Sequence, residues 1–594
     1  WGTPSGKNPL GDAIDRAART LALQRAQPAS SEIPIVLDEL TAGFLDGRFD
    51  VRETENDAYA LQGERSALPG ARTLLGRPSP CVGRDRELRL LEGLFAQCVD
   101  ENVALAALVV SPAGMGKSRL AHEFVRRVTE RNSEISLWIA GADALRAGSA
   151  LDLVSRVLSV PFGIAVNDSP EMRRSKIEAR VGSRMAKSDA HRASRFLGEI
   201  LGADFPDKDD LPLRSARASV QLMLDQVRAA FVDFVSAECA VAPVLLVIED
   251  LHWGDLPSIR LLEAALRNLD DRSLFILALA RPDVHERFPK LWAGCRVQEL
   301  VLLELAKKAS ERLVRHALAE RADQELVDRI VAQAQGNTFY LEELVRATAE
   351  GHGDSFPKTI VAMVQSRLHS LEESERRMLR AASIFGDTFW ADGVAALLGK
   401  TEATPEIVDK LNDLVERELL AARSESRFSG QNEYVFRHAY VREGALAMLT
   451  PEDRTLGHAL AGEWLERRGE TDPLVLAGHF ESGGLPTRAA EHYLRAAERA
   501  HRAGDDDVAV RRSERGLSLN PDAETYIGLL GIVTENRLWR NQHDEAAVSG
   551  AKLTRVAPPG SAPWVRGALA QFSYAMRNGH IDEAIALLDV IRSI

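Results

Sequence analysis

Uninterrupted apolar runs in the first half of the chain predict buried strands. Two such runs cover 103–110 and 244–248, and a third begins the segment LFILALARPD at 274–283. Runs of this kind are typical of the inner strands of a parallel sheet that helices cover on both faces. Amphipathic helical sequence fills residues 144–239, apart from a break at Asp204–Pro212. The pattern therefore predicts an α/β core with a parallel sheet.

The N-terminal residues follow a different pattern. An amphipathic helix is predicted at Gly11–Gln24, followed by strand, helix and strand over EIPIVLDELTAGFLDGRFDV and by a last strand at Tyr59–Glu64. Residues 66–80 contain Pro, Gly and Arg without periodicity, which predicts a linker. This part of the chain is predicted to be a small α+β unit.

Helical sequence predominates from Glu304 to the end of the chain. A single strand pair is predicted within it, at about 421–428 and 433–438, and helices followed by a hairpin suggest a winged-helix domain. In the last part, Gly or Asn is followed five residues later by Ala, with a spacing of about 37 residues that is close to the tetratricopeptide period. Hairpins of this kind stack into a solenoid with a concave surface for partners. The repeated pairs are Gly484 and Ala489, Gly504 and Ala509, Asn541 and Ala546, and Gly579 and Ala584.

The segment LAALVVSPAGMGKSR, which begins at Leu105, is the main candidate for chemistry. An apolar strand ends in a Gly-rich turn, and a helix follows, so the backbone N–H groups of the turn and the helix N-terminus can hold phosphate. Lys117 is expected to reach the β- and γ-phosphates of ATP, and the Ser118 hydroxyl to bind Mg²⁺. The first Gly of the usual pattern is replaced by Ser111, which Pro112 after it keeps in an extended conformation. The predicted nucleotide-binding residues here are Ser111, Ala113, Gly114, Met115, Gly116, Lys117, Ser118 and Arg119.

Two carboxylates, Glu249 and Asp250, follow the strand at 244–248. The ends of parallel strands meet at one edge of a sheet, so these side chains are expected beside the phosphate loop. One of them would hold Mg²⁺ and the other would polarise the attacking water. The alternative is a solvated turn, which is common for paired acids at a strand end.

Composition and charge narrow the possible functions. The 594 residues are 45% hydrophobic and 27% charged, as in ordinary globular proteins, and the net charge of −13 gives no basic footprint for nucleic acid or anionic membrane. The apolar runs are too short to span a membrane. Cys81, Cys98, Cys239 and Cys295 are far apart, which predicts reduced thiols in a cytoplasmic protein. The first residue is tryptophan, and further sequence is expected at both ends.

Residues 1–64 resemble the C-terminal end of a class III nucleotide cyclase domain. The resemblance aligns Asn8 with the position that selects the base and Arg19 with the arginine that stabilises the transition state. Asp15 stands where the family has an asparagine that orients the ribose, and a carboxylate there would repel a triphosphate. The expectation is therefore an inactive remnant, and the metal-binding half of such a domain is not in the sequence.

The rest of the chain resembles bacterial signal-transduction ATPases with numerous domains, because five of their motifs occur in order. They are the phosphate loop, the acidic strand end, the GNTF segment of a helical lid, an F-R-H triplet in a winged helix and the helical repeats. The predicted domains are 1–64 (cyclase-like), 65–79 (linker), 80–300 (ATPase core), 301–352 (lid), 353–470 (winged helix) and 471–594 (incomplete repeats). The likeness is nearest to myxobacterial-type regulators, in which a Ser/Thr protein kinase or nucleotide cyclase domain precedes the ATPase.

The resemblance implies a role for several residues. It places Glu249 on the metal and Asp250 as the base, although these two roles could be exchanged, and it makes Arg281 a sensor of the γ-phosphate or simply a charged strand end. His438 of the F-R-H triplet would touch the β-phosphate of ADP or would be a structural residue, and Thr338 replaces the usual lid proline. The residues expected near the adenine are Val82, Gly83 and Arg84, for which a loop before a surface helix is the alternative.

The predicted function is a switch controlled by ATP, ADP and Mg²⁺, with slow hydrolysis. ADP would favour a closed state, and a protein or small-molecule signal on the repeats would favour exchange for ATP. A scaffold that does not hydrolyse ATP and the regulatory part of a cyclase or kinase are the alternatives. A transcription factor is a weaker alternative, since no basic recognition helix is evident, and oligomer formation is left open.

Overall fold

The computed structural model describes residues 35–37, 49–54, 58–64, 73–75, 77–132, 134–165, 168–319, 322–349, 359–423 and 426–593. The chain divides into two units, Trp1–Ser79 and Pro80–Ile594, and each is described by itself. Predictions that lie outside the described residues are those for Asn8, Gly11–Gln24, Asp15 and Arg19.

The first unit contains a three-stranded antiparallel sheet in the order β1-β3-β2. Its strands confirm the strand predictions for this part of the sequence, because all three fall where apolar and polar residues suggested extended chain. The strands are β1 (Ile35–Leu37), β2 (Phe49–Thr54) and β3 (Ala58–Glu64).

The segment 65–79, predicted to be a linker, contains a short hairpin at its C-terminal end. There β4 (Thr73–Leu74) and β5 (Arg77–Pro78) pair antiparallel. Leu75 lies between them with a left-handed φ of 54°, and the Leu74 side chain is buried. One buried apolar residue and a tight turn thus form a hairpin that is too short to show periodicity.

The second unit begins with a five-stranded sheet in the order β10-β6-β9-β8-β7, in which every neighbouring pair is parallel. This confirms the predicted α/β core. The three inner strands are the three apolar runs, since both of their faces are buried. The edge strands β7 and β10 were not predicted; β10 mixes polar and apolar residues, whereas β7 is a short apolar segment. The strands are β6 (Leu105–Val110), β7 (Ser136–Gly141), β8 (Val244–Glu249), β9 (Leu274–Ala280) and β10 (Val297–Val301).

Helices cover both faces of this sheet. Aromatic side chains mark the two layers: Phe95, Phe124 and Phe275 meet on one side, and Phe162 and Phe234 stack on the other with ring centroids 4.6 Å apart. The core helices are α1 (Asp85–Asp100), α2 (Lys117–Arg131), α3 (Asp152–Phe162), α4 (Pro170–Arg184), α5 (Lys187–Leu201), α6 (Leu211–Arg217), α7 (Val220–Cys239), α8 (Leu256–Asn268) and α9 (Val284–Arg287).

Three helices follow the core in the region predicted to be a lid, and a mixed region comes next. The mixed region has a three-stranded antiparallel sheet in the order β11-β13-β12, so the predicted strand pair is present with a shorter first strand. The sequence did not predict the third strand, β11, which has only three residues. The elements are α10 (Lys307–Leu318), α11 (Gln324–Ala334), α12 (Thr338–Ala349), α13 (Ile360–His369), α14 (Glu373–Phe385), β11 (Thr388–Trp390), α15 (Ala391–Leu397), α16 (Pro405–Glu416), β12 (Leu420–Ala422), β13 (Glu433–Phe436), α17 (Ala439–Ala447) and α18 (Pro451–Arg467).

The C-terminal part consists of helices, each of which packs on the next. All four predicted Gly or Asn positions have positive φ, and all four paired alanines are buried. A left-handed residue ends one helix, and the small side chain lets the next approach closely. None of the described helices combines the length and apolar character needed to cross a membrane. The helices are α19 (Pro473–Ser482), α20 (Pro486–Arg502), α21 (Asp506–Leu517), α22 (Ala523–Trp539), α23 (His543–Val556), α24 (Ala562–Arg577) and α25 (Ile581–Ser593).

Two histidines, one on α18 and one on α19, contact each other. Because burial lowers the pKa of both rings, we expect the stability of the folded protein to depend on pH. The Nδ1 atoms of His458 and His479 are 3.2 Å apart, and burial lowers the pKa of His458 to about 4 and of His479 to about 3. An unfolded chain would bind these protons near pH 6.5, so stability that is present above pH 6.5 is lost as the pH falls towards 4. We expect a lower Tm at pH 5 than at pH 7, and a smaller difference in His479→Gln. Equal differences in thermal unfolding of the two proteins would contradict this.

Candidate functional site

The phosphate loop connects β6 to α2 and has the backbone that its sequence predicts. Gly114 and Gly116 have φ of 81° and 91°, values that only glycine adopts readily. Ser111 does not have a positive φ, so its side chain causes no backbone strain, and its N–H donates to the Ala280 carbonyl at 3.2 Å. Lys117 Nζ donates to the carbonyl oxygens of Ser111 at 2.7 Å and Pro112 at 3.0 Å. The lysine therefore folds back over the loop.

Charged groups from two neighbouring strand ends surround this lysine. Burial lowers the pKa of Lys117 to about 8; the nearby Asp250 and Asp283 oppose that shift, and Arg281 adds to it. Because β6, β9 and β8 are adjacent in the sheet, their carboxyl ends bring these residues together. The site predicted from the separate sequence segments is thus assembled at one edge of the sheet.

The two acids of the strand end occupy different surroundings. Glu249 is the last residue of β8, and its Cβ is 3.7 Å from the position a Cβ would take on Gly141 of β7. Asp250 has a left-handed φ of 52°, and about half of its side chain (52%) is exposed. A strained non-glycine residue is a frequent feature of functional sites. The charge of Asp250 raises the pKa of Lys117, and the division of roles between metal and base stays a prediction.

Arg281 follows β9 and lies between the core and the domain that contains β11. Its backbone N–H donates to His252 Nδ1 at 3.4 Å, and burial lowers the pKa of His252 to about 4, which keeps that ring neutral. Burial raises the pKa of Asp387, and the charges of Arg442 and Arg281 oppose this. Arg442 Nε is 3.3 Å from Asp387 Oδ1. Arg281 is therefore close to groups of both domains, as a γ-phosphate sensor would be.

The V-G-R box (residues 82–84) contacts the phosphate loop and the lid. Arg84 is buried, and its Nη2 donates to the Met115 carbonyl at 3.0 Å. Gly83 has a φ of 68°, and a Cβ there would lie 2.4 Å from the Cβ of Ala309 on α10. Only glycine permits this approach. The prediction that the box touches adenine stays a prediction, as do the roles of the half-buried Val82, Ala113, Ser118 and Arg119.

The GNTF segment of the lid lies directly on the phosphate loop. Phe339 N–H donates to the Gly114 carbonyl at 3.0 Å. Asn337 Oδ1 is 3.0 Å from where a Cβ on Gly114 would be, and Thr338 Oγ1 is 3.7 Å from the same point on Gly116. The structure places this segment against Gly114 and Gly116, the two positive-φ glycines of the phosphate loop.

His438 reaches the loop through one intervening side chain. Its ring centroid is 4.2 Å from that of Phe339, the residue whose N–H binds the loop, and Tyr440 stacks on the same ring at 5.2 Å. The F-R-H triplet and the lid segment, which were predicted separately, are therefore parts of one contact. A change in the position of the loop would reach His438 through Phe339.

A buried ion-pair cluster, which sequence reasoning missed, holds the lid to the following domain. Arg346 of α12 is 3% exposed and binds Glu343 at 2.6 Å and Glu418 at 2.7 Å. Arg367 binds Glu343 at 2.9 Å, and Arg437 of the F-R-H triplet is 3.5 Å from Glu418. The sequence did contain a signal for this cluster, because an Arg follows a Glu by three residues in an otherwise apolar helix. Charges in such a helix are buried only when they are paired.

Comparisons with known proteins agree with this geometry. The sequence model of the AAA ATPase domain family matches residues 80–277. An uncharacterised protein of Rhizobium meliloti is 23% identical over 443 residues, which are 70% of this chain and 40% of that protein. The chain therefore spans less than half the length of this curated relative.

Matching solved structures have low sequence identity and low TM-scores. A Signal Transduction ATPase with Numerous Domains from Pyrococcus horikoshii, which has a tetratricopeptide repeat sensor, is 13% identical with a TM-score of 0.34, over 86% of this chain and 77% of that one. The ORC1 protein of Aeropyrum pernix in complex with DNA is 15% identical with a TM-score of 0.28, over 62% and 93%. Residues 80–277 thus match the model of the AAA ATPase domain family, and they include the phosphate loop with its two positive-φ glycines.

Proposed function

We propose that this protein is a nucleotide-controlled signalling switch that binds ATP or ADP and hydrolyses ATP slowly. The observation that carries the proposal is the continuous contact from Gly114 through Phe339 to His438. Because the phosphate loop, the lid and the domain with the F-R-H triplet touch one another, a change at the phosphates can shift the balance between two arrangements of these domains.

The charged groups at the strand ends fit a triphosphate and its metal. Lys117 would pair with the β- and γ-phosphates, and the positive-φ glycines turn the loop backbone towards them. Ser118 and Glu249 would hold Mg²⁺, which when bound would neutralise phosphate charge. Asp250 would accept a proton from the attacking water, and Arg281 would stabilise charge on the γ-phosphate.

Regulation is proposed to come from the C-terminal helices. A protein or small-molecule signal that binds them more tightly in the open state than in the closed state would favour exchange of ADP for ATP. Hydrolysis would then restore the closed state. An effector such as a kinase or cyclase domain before residue 1 would receive the output in a longer protein.

His438 is predicted to hold ADP in the closed state. Loss of an aromatic contact weakens an interface by about 0.5–1.5 kcal/mol, which is roughly a two- to tenfold faster release. We expect both His438→Ala and His438→Phe to release a fluorescent ADP analogue faster. Alanine loses the packing on Phe339 and any contact with phosphate, whereas phenylalanine keeps the packing but cannot bind phosphate. Wild-type release from His438→Phe would show that the ring only packs.

A phosphate-release assay on the purified chain tests the proposed function against its main alternative. We expect slow release of phosphate from Mg-ATP that disappears in Lys117→Ala. Ser111 in the loop and Thr338 in the lid depart from the usual patterns and favour the alternative, a scaffold that binds ATP without turnover. Tight ATP binding with no phosphate above the Lys117→Ala background would establish the scaffold.

A further inference from the structure

Asp255, five residues after Asp250, holds the N-termini of two helices. Its carboxylate caps α8 by accepting from Ser258 N–H at 2.9 Å, and it also accepts from the N–H groups of Leu151 at 2.8 Å and Leu153 at 3.2 Å, at the start of α3. The Ser258 hydroxyl, which donates to Asp255, accepts from Val154 N–H at 3.1 Å. Helix α3 has no side-chain cap of its own. The fully buried Asp255, five residues beyond the acidic strand end, provides the cap of α3 instead.

The connection from Asp250 to Asp255 is short and tightly packed. A 3-10 helix at Leu251–Trp253 follows the strand end, and Gly254 comes next. A Cβ on Gly254 would lie 2.9 Å from the Leu251 carbonyl oxygen and 3.3 Å from the Leu153 side chain. Because this connection is tightly packed, a displacement of Asp250 would also move Asp255 and the start of α3.

The segment that leads into α3 and includes its first residue, 144–152, also binds the C-terminal helices. Arg146 bridges Asp152 and Glu470, with both nitrogen–oxygen distances at 3.0 Å. The Ser149 hydroxyl donates to Asp472 Oδ2 at 2.7 Å. Asp472 in turn caps α19 by accepting from Leu474 N–H at 2.9 Å. The same short segment is thus tied to the ATPase core on one side and to the first C-terminal helix on the other.

A second arginine strengthens this contact from deeper in the C-terminal part. Arg512 of α21 donates to the Gly148 carbonyl and, at 2.9 Å, to the Ala496 carbonyl of α20. The side chains of Glu470 and Asp472 are 0% and 2% exposed. Buried charges of this kind are stable only when paired, so partial separation is unfavourable and the contact is either formed or fully opened to water.

We propose that residues 144–152 are a coupling loop through which the nucleotide state of the acidic strand end controls the docking of the C-terminal helices. Asp255 transmits the position of the strand end to the loop, and Arg146 with Ser149 holds Glu470 and Asp472 in the docked state. This inference rests on the proposed function, which it deepens by naming the contact between the sensing helices and the nucleotide site. Arg146 and Asp255 are positioning residues, since neither touches the predicted phosphate site.

The test compares Arg146→Met with Arg180→Met in the full chain. Arg180 makes a similar pair with a buried carboxylate, Glu238, at 2.7 Å, but both residues lie within the ATPase core. We expect both variants to have a lower Tm than the wild type. Only Arg146→Met should release a fluorescent ADP analogue at least fivefold faster and show increased hydrogen exchange in α19. Ser149→Ala, which removes a single hydrogen bond, should show the same two changes to a smaller extent.

Asp255→Asn tests the other end of the path. It keeps the size of the side chain but replaces one acceptor oxygen with a donor, so the N–H groups of Leu151, Leu153 and Ser258, which bind the two carboxylate oxygens, cannot all be satisfied. We expect faster exchange in α19 with ADP bound, as in Arg146→Met. Wild-type ADP release and α19 exchange in folded Arg146→Met and Asp255→Asn would overturn the proposal. Failure of the wild-type chain to bind ADP would instead refute the proposed function, and this is measured first.

Discussion

Replacing Lys117 with alanine is expected to weaken ATP binding by about 100-fold or more. Removing one partner from a desolvated, charge-assisted pair costs at least about 2–5 kcal/mol, and Lys117 is the cation that folds over the phosphate loop. Adenosine lacks the phosphates, so any weak binding of adenosine should be similar in the variant and the wild type. Titration calorimetry with ATP, ADP and adenosine in the presence of Mg²⁺ measures all three.

The matched control for this prediction is Lys187→Ala. Lys187 is exposed at the start of α5, so this change removes the same charge from the chain without touching the loop. Lys117→Ala should remain folded, because the hydrogen bonds of the lysine go to oxygens of Ser111 and Pro112 in the loop, and water can replace it there. Unchanged ATP affinity in a folded Lys117→Ala protein would refute the assignment of the phosphate loop.

Replacing Asp250 with asparagine is expected to preserve Mg-ATP binding and to lower the hydrolysis rate by roughly 10²- to 10⁴-fold, the usual contribution of a general base. The amide has the same shape but cannot accept a proton from water. Asp250 is suited to this role because its half-exposed carboxylate is placed near Lys117 by a left-handed backbone. Steady-state phosphate release and calorimetry on the same preparation separate turnover from binding.

Glu249→Gln provides the comparison that fixes the two roles. If Glu249 holds the metal, this variant should lose the Mg²⁺ dependence of ATP binding, whereas Asp250→Asn should keep it. Loss of Mg-ATP binding in Asp250→Asn, with normal binding in Glu249→Gln, would exchange the two assignments. Normal turnover in both variants would remove the acidic strand end from the catalytic site.

Much of the ATPase core could be predicted from local sequence. The strands β6, β8 and β9 were evident because both faces of an inner parallel strand are buried, which gives continuous apolar runs. The phosphate loop was evident because its turn needs glycine at the two positions where φ is positive, Gly114 and Gly116. Likewise, the C-terminal helices could be predicted because a Gly or Asn that ends one helix and a buried alanine in the next recur at a regular spacing.

Edge strands and short pairings could not be predicted in this way. The edge strand β10 exposes most of its residues, so its sequence carries no continuous apolar run, and β7 is likewise only partly buried. The β4–β5 hairpin has two residues in each strand, which is a single period of strand alternation and too short to form a repeating pattern. The winged-helix interpretation of 353–470 remains a prediction, although the sheet β11-β13-β12 agrees with the predicted strand pair.

The sequence by itself determined the elements that carry nucleotide chemistry, because each consists of neighbouring residues whose type and spacing follow from backbone geometry. Tertiary structure alone decided how these elements are connected. Phe339 and His438 meet although 99 positions separate their numbers, and Arg146 and Glu470 pair across 324 positions. A sequence does not distinguish a buried charged or aromatic residue from an exposed one. Only the packing of the folded chain decides whether the side chain loses its contact with water and which partner it binds instead. The phosphate loop could thus be predicted from sequence, and its links to the lid and the C-terminal helices could not.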